Sequence, residues 1–332
     1  MSFAGLSDSV RPSSVFDTYW RFAAERQKIF FRRLSGAPSP WTSDPVLREY
    51  RFTNAFRASD RVSQYLIKNV IYRGPQSPRE LFFRILVFKV FNKIDTWELL
   101  TRSLGQISLA EYKFERYDAV LTAALLAGTR IYNAAYIMPS EGRNGEERKH
   151  RSHLKLIERM VREHVPERLQ DCGSMEEGFA VLRSYPMVGD FLAYQFITDV
   201  NYSAPTDFSE MEFVRPGPGA REGIRKCFLD IGRFSEADII RMMTDIQEEQ
   251  FARLGLEFRS LWGRRLQLID CQSLFCEVGK YARCVHPEVT GTSGCTRIKQ
   301  RFRANLEPLS CWYPPKWGIN HLVTAKSQGV NV

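Results

Sequence analysis

Apolar residues along this chain recur at helical spacing. Val62, Tyr65, Leu66 and Val70 fall at i, i+3, i+4 and i+8 behind Ser59, a residue suited to capping a helix. The same spacing predicts helices over 13–34, 78–91, 96–104, 115–127, 154–163, 175–184, 191–201 and 268–285. Ser235 and Asp238 resemble a capping pair for one long helix that turns Ile239, Met242, Met243, Ile246 and Phe251 inward. Gly36-Ala37-Pro38-Ser39-Pro40 is a breaker cluster that stops the first helix. The run 139–153, rich in Glu, Arg, Asn, Gly and Lys, reads as a polar surface loop. It would join two lobes, about 13–138 and 154–320, of a single 13–320 domain. Residues 1–12 read as a disordered end and 321–332 as a flexible one. Strict alternation is hard to find, and Gly/Asn dipeptides between apolar runs are absent. The expected architecture is therefore all-α, with two intimately packed helical lobes.

Composition adds a core and a charge. Of 332 residues, 44% are hydrophobic and 13% aromatic, enough for a substantial interior. Lys and Arg number 47 against 38 Asp and Glu, and the net charge of +9 favours a polyanionic partner. The greasiest stretch, 81–91, contains Arg84 and Lys89 and is too short to span a bilayer. The first ten residues lack the apolar core of a secretory leader. The seven cysteines form no C-x-x-C pair, and an odd number suits reduced thiols. A soluble, intracellular protein of cytoplasm or nucleus, with no membrane partner, is expected.

Several chemistries have no motif here. There is no G-x-x-x-x-G-K-[ST] for a P-loop, no dinucleotide G-x-G-x-x-G and no H-E-x-x-H. Cys271, Cys276, Cys284 and His286 lack the short paired spacing of a zinc site, so no metal is expected.

Five constellations remain. Tyr185-Pro186-Met187-Val188-Gly189-Asp190 stops one helix and starts another, leaving backbone N–H groups at a helix N-terminus; Gln195 and Asp199 share a stripe on the new helix. The pattern resembles the hairpin of helix-hairpin-helix DNA glycosylases, with Met187 in place of the first glycine. That resemblance implies a glycosylase-like fold and a catalytic aspartate at a position such as Asp207. Arg215-Pro216-Gly217-Pro218-Gly219-Ala220 leads into a helix over 221–228; Gly217 and Gly219 would let backbone approach an anion, with Arg215 and Lys226 nearby. A tight loop before a solvated basic helix is the alternative. Asp199, Asp207, Glu210 and Glu212 could supply a general base or serve as caps. Arg51, Asn54, Arg57, Arg61 and Gln64 suit phosphate pairing and base contact, or a salt-bridged entry to a core helix. Lys280 and Arg283, followed by Arg297-Ile298-Lys299-Gln300-Arg301-Phe302-Arg303, could track a nucleic-acid backbone; a solvated helix face is the commoner role. The segment Trp312-Tyr313-Pro314-Pro315-Lys316-Trp317 reads as an aromatic plug over the core.

Taken together, Arg51-Phe52-Thr53-Asn54-Ala55-Phe56-Arg57, Asp60–Ile67, Phe82-Phe83-Arg84, Phe91-Asn92-Lys93-Ile94, Thr96-Trp97-Glu98, Phe191-Leu192-Ala193-Tyr194-Gln195, Phe208-Ser209-Glu210, Gly217-Pro218-Gly219-Ala220 and Leu274-Phe275-Cys276-Glu277 resemble the helical domain of 5-hydroxymethyluracil DNA kinases. That group is related to α-glutamyl/putrescinyl-thymine pyrophosphorylases and phage amino-acid:DNA transferases. The resemblance runs from about Trp20 to Trp317. It implies thymine hypermodification, in which an amine displaces pyrophosphate from a phosphorylated 5-hydroxymethyluracil in DNA. The implied partners are DNA with a flipped-out modified base, an amino acid or polyamine, and a separate kinase that supplies the phosphorylated base. No cofactor is implied. In this scheme Arg215, Gly217, Gly219 and Lys226 hold the departing pyrophosphate, and Asp199, Glu212 or Asp207 acts as the catalytic acid or base. Arg51, Asn54, Arg57, Arg61, Gln64, Gln195, Lys280 and Arg283 face base or DNA. A base-excising hydrolase and a non-catalytic reader of modified DNA are the competing expectations.

Overall fold

A computed structural model describes residues 9–134, 138–139, 148–292 and 294–327, without the side chains of 324–327. Among them the regular structure is helical apart from one small two-stranded sheet and two isolated antiparallel bridges. It divides into two compact units: residues 1–60, 210–311 and 318–332 form unit 1, and residues 61–209 and 312–317 form unit 2.

In chain order, β1 (Arg11–Pro12), α1 (Val15–Leu34) and α2 (Pro45–Glu49) open unit 1. A 3₁₀ turn at Arg57–Ser59 leads to α3 (Arg61–Tyr65), which continues as a π-helix over Leu66–Ile71. Unit 2 then adds α4 (Pro78–Phe91), α5 (Ile94–Leu104), α6 (Phe114–Leu126), α7 (Lys149–Arg162), α8 (Val165–Asp171), α9 (Met175–Arg183) and α10 (Asp190–Val200). Back in unit 1 come α11 (Pro218–Cys227), β2 (Phe228–Asp230), α12 (Glu236–Asp245), α13 (Gln247–Arg253), α14 (Leu268–Val285) and α15 (Asn320–Ser327).

Unit 1 is built on α1, α11 and α14. Tyr19 of α1 stacks obliquely on Phe275 of α14 at 4.7 Å, and its hydroxyl donates to the Cys271 carbonyl at 3.1 Å. Trp20 meets Phe251 edge-on at 5.3 Å, and Phe16 meets Phe228 at 5.5 Å. Each such pair contributes roughly 0.5–1.5 kcal/mol beyond burial. Helices α11 and α14 cross at backbone contact. A Cβ on Gly223 would stand 1.9 Å from the Phe275 carbonyl oxygen, one on Gly219 would stand 2.4 Å from Cys276 Sγ, and one on Gly279 would stand 3.1 Å from Gly223 Cα. Glycine at four-residue spacing on α11, facing Gly279, is what permits the approach.

Unit 2 is organised around α4, which is buried on every side from Glu80 to Phe91 and touches α5, α7, α8 and α10. Its polar members have partners, though Arg84 Nη1 makes no hydrogen bond and lies 3.6 Å from the Glu80 carboxylate. Arg84, 2% exposed, donates to the Val70 and Ile71 carbonyls at 3.0 and 3.3 Å, and so caps the π-helix. Glu80 accepts the amides of Leu109 and Ala110. Left-handed Asn92 closes the helix. The aromatic plug packs here: Tyr313 is fully buried, Trp312 meets Tyr72 at 4.8 Å, and Trp317 meets Tyr202 at 5.7 Å.

Five expectations need correction. Residues 11–12 are not part of a disordered end, because Arg11 and Pro12 pair antiparallel with Asp230 and Phe228; residues 1–8 lie outside the described residues. The long helix behind Ser235 is two helices. Its capping box forms, but Gln247 and Arg265 donate to the Thr244 carbonyl at 2.6 Å each and end α12 at Asp245. The polar loop is shorter than 139–153, since α7 begins at Lys149; residues 140–147 lie outside the described residues. It also does not divide the compact units: α6 and α7 on either side of it pack together within unit 2. Part of the 321–332 end is helical, in α15.

Candidate functional site

The hairpin at Tyr185–Asp199 forms as a helix–turn–helix within unit 2. Helix α9 ends at Arg183, Tyr185 and Val188 are buried, and Gly189 is the N-cap of α10. Met187 has φ +63°, the left-handed conformation that a glycine adopts without cost. The turn thus places a non-glycine residue in a backbone conformation that favours glycine. Gly178 lets α9 close on α10, since a Cβ there would stand 2.7 Å from the Ile197 side chain. At the start of α10, Asp190 accepts from Arg183 Nε at 2.6 Å.

Asp199 is fully buried on α10 and lies 3.0 Å from Lys89 Nζ of α4. Lys89 also donates to Asn92 Oδ1 at 3.0 Å. Gln195, one turn earlier, is 8% exposed. Gln64 of α3 accepts the Trp312 amide at 2.8 Å, while Arg61 is exposed. Asp207 is exposed beyond α10, with Lys316 at 3.4 Å. Unit 2 thus buries three of its expected site residues, Gln64, Gln195 and Asp199.

In unit 1, Gly217 is the extended N-cap of α11, with Pro218 in the first turn and Arg215 exposed just before. Gly219 packs against Cys276 of α14. Lys226 is 2% exposed and donates to the Gly279 carbonyl at 3.2 Å; burial, with Arg283 nearby, holds its ammonium below the usual lysine range. Glu212 is exposed, and its carbonyl accepts from Arg241 at 3.3 Å. Glu210 pairs with Arg264 at 2.7 Å.

The arginine-rich segment beginning at Arg51 is held by a buried polar network. Arg26 of α1 donates to the carbonyls of Thr53 and Phe52 and to Asn54 Oδ1, at 2.9, 3.3 and 3.0 Å. The Asn54 amide nitrogen donates to the Ser59 carbonyl at 2.7 Å, so both ends of its side chain are engaged. The backbone amide of Asn54 donates to Asp60, that of Arg57 to Asp270, and that of Thr53 to Glu277. Burial raises the Asp60 carboxyl to about 7 and that of Asp270 to about 6. Arg57 itself is only 7% exposed. The sequence held no obvious sign of this network, because two of its three acids, Asp270 and Glu277, come from α14, more than two hundred residues away.

Arg51 lies on a different surface. Its amide donates to the Gln300 carbonyl at 3.0 Å, and Phe302 N–H donates to the Glu49 carbonyl at 2.9 Å, so 49–51 and 300–302 run antiparallel. The run Arg297–Arg303 is therefore extended, not a solvated helix face. Arg283 Nη1 reaches the Arg297 carbonyl at 3.1 Å, and Lys280 lies 5.6 Å from the Phe52 ring centre while pairing with Glu277 at 2.6 Å. Three of the expected DNA-facing residues, Arg51, Lys280 and Arg283, thus gather with the basic tail. Separately, a groove of about 520 Å³ runs along α1 beside Arg21, Glu25, Lys28, Phe31 and Arg32, with Arg259 opposite. None of the expected site residues lines it. Among the described residues no cluster of His, Cys, Asp or Glu has the makings of a metal site, all seven cysteines are free thiols, and no helix is long and apolar enough to cross a membrane.

Comparison with known proteins adds what geometry alone does not. No solved structure matches the chain. The 5-hmdU DNA kinase of Bacillus phage SP10 is 29% identical over 290 residues, which is 81% of this chain and 45% of that protein. The chain thus spans a little under half the length of that relative. The family model described as 5-hmdU DNA kinase, helical domain, matches residues 13–291. The chain belongs to that helical-domain family.

Proposed function

We propose that this chain modifies thymine-derived bases in DNA, and that it transfers an amine to phosphorylated 5-hydroxymethyluracil with displacement of pyrophosphate. One observation carries the DNA-modification part: the helical-domain family match over residues 13–291, in a chain that contains no P-loop motif of its own. In the transfer, the amine nitrogen bonds to the 5-methylene carbon. The carbon–oxygen bond to pyrophosphate breaks, its electron pair leaves with the pyrophosphate, and a proton passes from the amine to a base. Arg215 and the amides at the start of α11 are the groups suited to the developing charge. Exposed Glu212 is the acid suited to taking the proton, and Asp207 is the second choice. Asp199 is assigned to the Lys89 ion pair and not to chemistry. DNA, an amino acid or polyamine, and a separate kinase are the partners of this scheme.

The purified chain is incubated with DNA carrying 5-hydroxymethyluracil pyrophosphate and a pool of amines, and the nucleosides are analysed by mass spectrometry. A heavier nucleoside, lost in Glu212→Gln and Arg215→Ala, is the expected result. An abasic site identifies a base-excising hydrolase instead, and unchanged DNA with tight binding identifies a reader.

A second reading is favoured by the name of the phage relative, a 5-hmdU DNA kinase. The helical chain would then present the base to a phosphoryl-transfer domain. Labelled phosphate appearing in 5-hydroxymethyluracil DNA, only when such a domain is added, supports this and displaces amine transfer.

A further inference from the structure

The segment Arg297-Ile298-Lys299-Gln300-Arg301-Phe302-Arg303 alternates cation with other residue, and in unit 1 it is extended against Glu49–Arg51. Ile298 is 9% exposed and Phe302 is half-buried, whereas Arg297, Lys299, Arg301 and Arg303 are all exposed. Ile298 and Phe302 therefore face the protein while Gln300 between them stays exposed, and the cations are sent outward. Two backbone hydrogen bonds to Glu49 and Arg51 fix the register, and the Arg283 guanidinium clamps the segment's start at the Arg297 carbonyl. Tyr50 faces Arg301 across the bridge, with the guanidinium 4.9 Å from the ring centre, and Glu49 pairs with the same arginine. Exposed Arg51 adds charge at the other strand.

We propose that this ribbon is a track for the phosphate backbone of a nucleic-acid strand. In an extended chain, alternate side chains lie about 6.6 Å apart, close to the separation of successive phosphates along a strand. A helix would scatter the same cations around its circumference; the extended form lines them up. Arginine forks engage phosphate oxygens in pairs, and Lys299 adds a point charge. Such contacts position a strand without reading its sequence. The inference rests on DNA as the partner in the proposed function, but it assigns the backbone contact to a surface outside the Arg215–Gly219 region.

The test uses the full chain and unmodified DNA, so that it is independent of base chemistry. Binding to single-stranded and duplex oligonucleotides is measured between about 50 and 200 mM salt for the parent, for Lys299→Ala, and for the triple variant Lys299→Ala, Arg301→Ala, Arg303→Ala. Each lost phosphate contact lowers the slope of log affinity against log salt by about 0.9 for duplex or 0.7 for single strands. The triple variant is expected to lose two to three times that amount, equally for unrelated sequences, and Lys299→Ala about one increment. A control, Lys113→Ala with Arg116→Ala on exposed positions of unit 2, lowers net charge elsewhere and is expected to keep the parent slope. Unchanged slopes in both ribbon variants, an equal fall in the control, or equally tight binding of the parent to anionic phospholipid vesicles overturns the proposal. Failure of the amine-transfer assay with a reduced ribbon slope leaves the track standing; intact transfer with an unchanged slope removes the track alone.

Discussion

Lys89 Nζ lies 3.0 Å from the Asp199 carboxylate, and neither side chain is more than 6% exposed. A buried pair of this kind resists loss of one member more than loss of both, because the survivor is a charge without compensation. Asp199→Asn is expected to destabilise unit 2 by about 3–5 kcal/mol. Asp199→Leu with Lys89→Met is expected to recover most of that. Denaturant titration decides: full stability in Asp199→Asn with abolished transfer returns Asp199 to the catalytic list.

The crossing of α11 and α14 makes a second prediction. In an exposed helix, Gly→Ala gains about 1 kcal/mol from propensity. At Gly223 that gain is overwhelmed, since the new Cβ falls on the Phe275 carbonyl. Gly223→Ala is expected to cost about 3 kcal/mol net or to abolish folding of unit 1, with Gly279→Ala milder because its nearest contact is 3.1 Å. Thermal melts that rank Gly279→Ala below Gly223→Ala contradict the packing described.

The turn before α10 offers a stabilising change. Met187 at φ +63° bears a strain that glycine lacks, offset in part by the greater freedom of glycine in the unfolded chain. Met187→Gly is expected to raise stability by up to about 1 kcal/mol, and Met187→Ile to lower it by more, since a β-branched residue fits this region worst. A drop in melting temperature for Met187→Gly counts against the left-handed turn.

Stability should depend on pH in two opposite ways. Asp60 and Asp270 titrate at about 7 and about 6 in the folded chain, against 3.8 when free. Between about pH 4 and 7 the folded state therefore holds protons that the unfolded state releases, so stability falls as pH rises through that window. Asp118, held down to about 2 by Arg151 and His150, does the reverse: its contribution is present above 3.8 and is lost as pH falls toward 2. Buried His153, held down to about 4, opposes this decline, since the unfolded state takes up a proton there that the folded state refuses. The assignment is therefore read from the difference between variant and parent: Asp270→Asn should remove part of the fall in urea midpoint between pH 4 and 6, and an unchanged pH dependence in that variant refutes it.

Much of the helical plan was legible because burial imposes period. Helices 78–91 and 268–285 stand with the bounds that helical spacing predicts. Helix α8 was missed, since seven residues are too short to show periodicity, and the break at Ile246 was invisible because periodicity shows neither the Gln247 side chain turning back to the Thr244 carbonyl nor the Arg265 side chain that joins it there. The candidate site was less legible for a related reason. Asn54 and Arg57 carry groups that suit DNA, but Arg26 of α1 engages the Asn54 side chain, Asp270 of α14 holds the Arg57 backbone amide, and Arg57 is buried. Conversely, Arg297–Arg303 showed its interleaved cations openly, yet a nucleic-acid track and the commoner helix face both stayed open, because its partner, Glu49–Arg51, lies far away in the chain.

The order of the units along the chain governs how the protein is made. Helix α1 ends at Leu34, but α14, which covers Tyr19, begins at Leu268. At a synthesis rate of about 5–20 residues per second, the aromatic face of α1 waits roughly 10–50 s for its cover. Unit 2 meanwhile emerges almost whole, lacking only 312–317. Residues 61–209 are therefore poised to fold first, while Phe16, Tyr19 and Trp20 remain open to chaperones or to misassociation until the second half of unit 1 arrives.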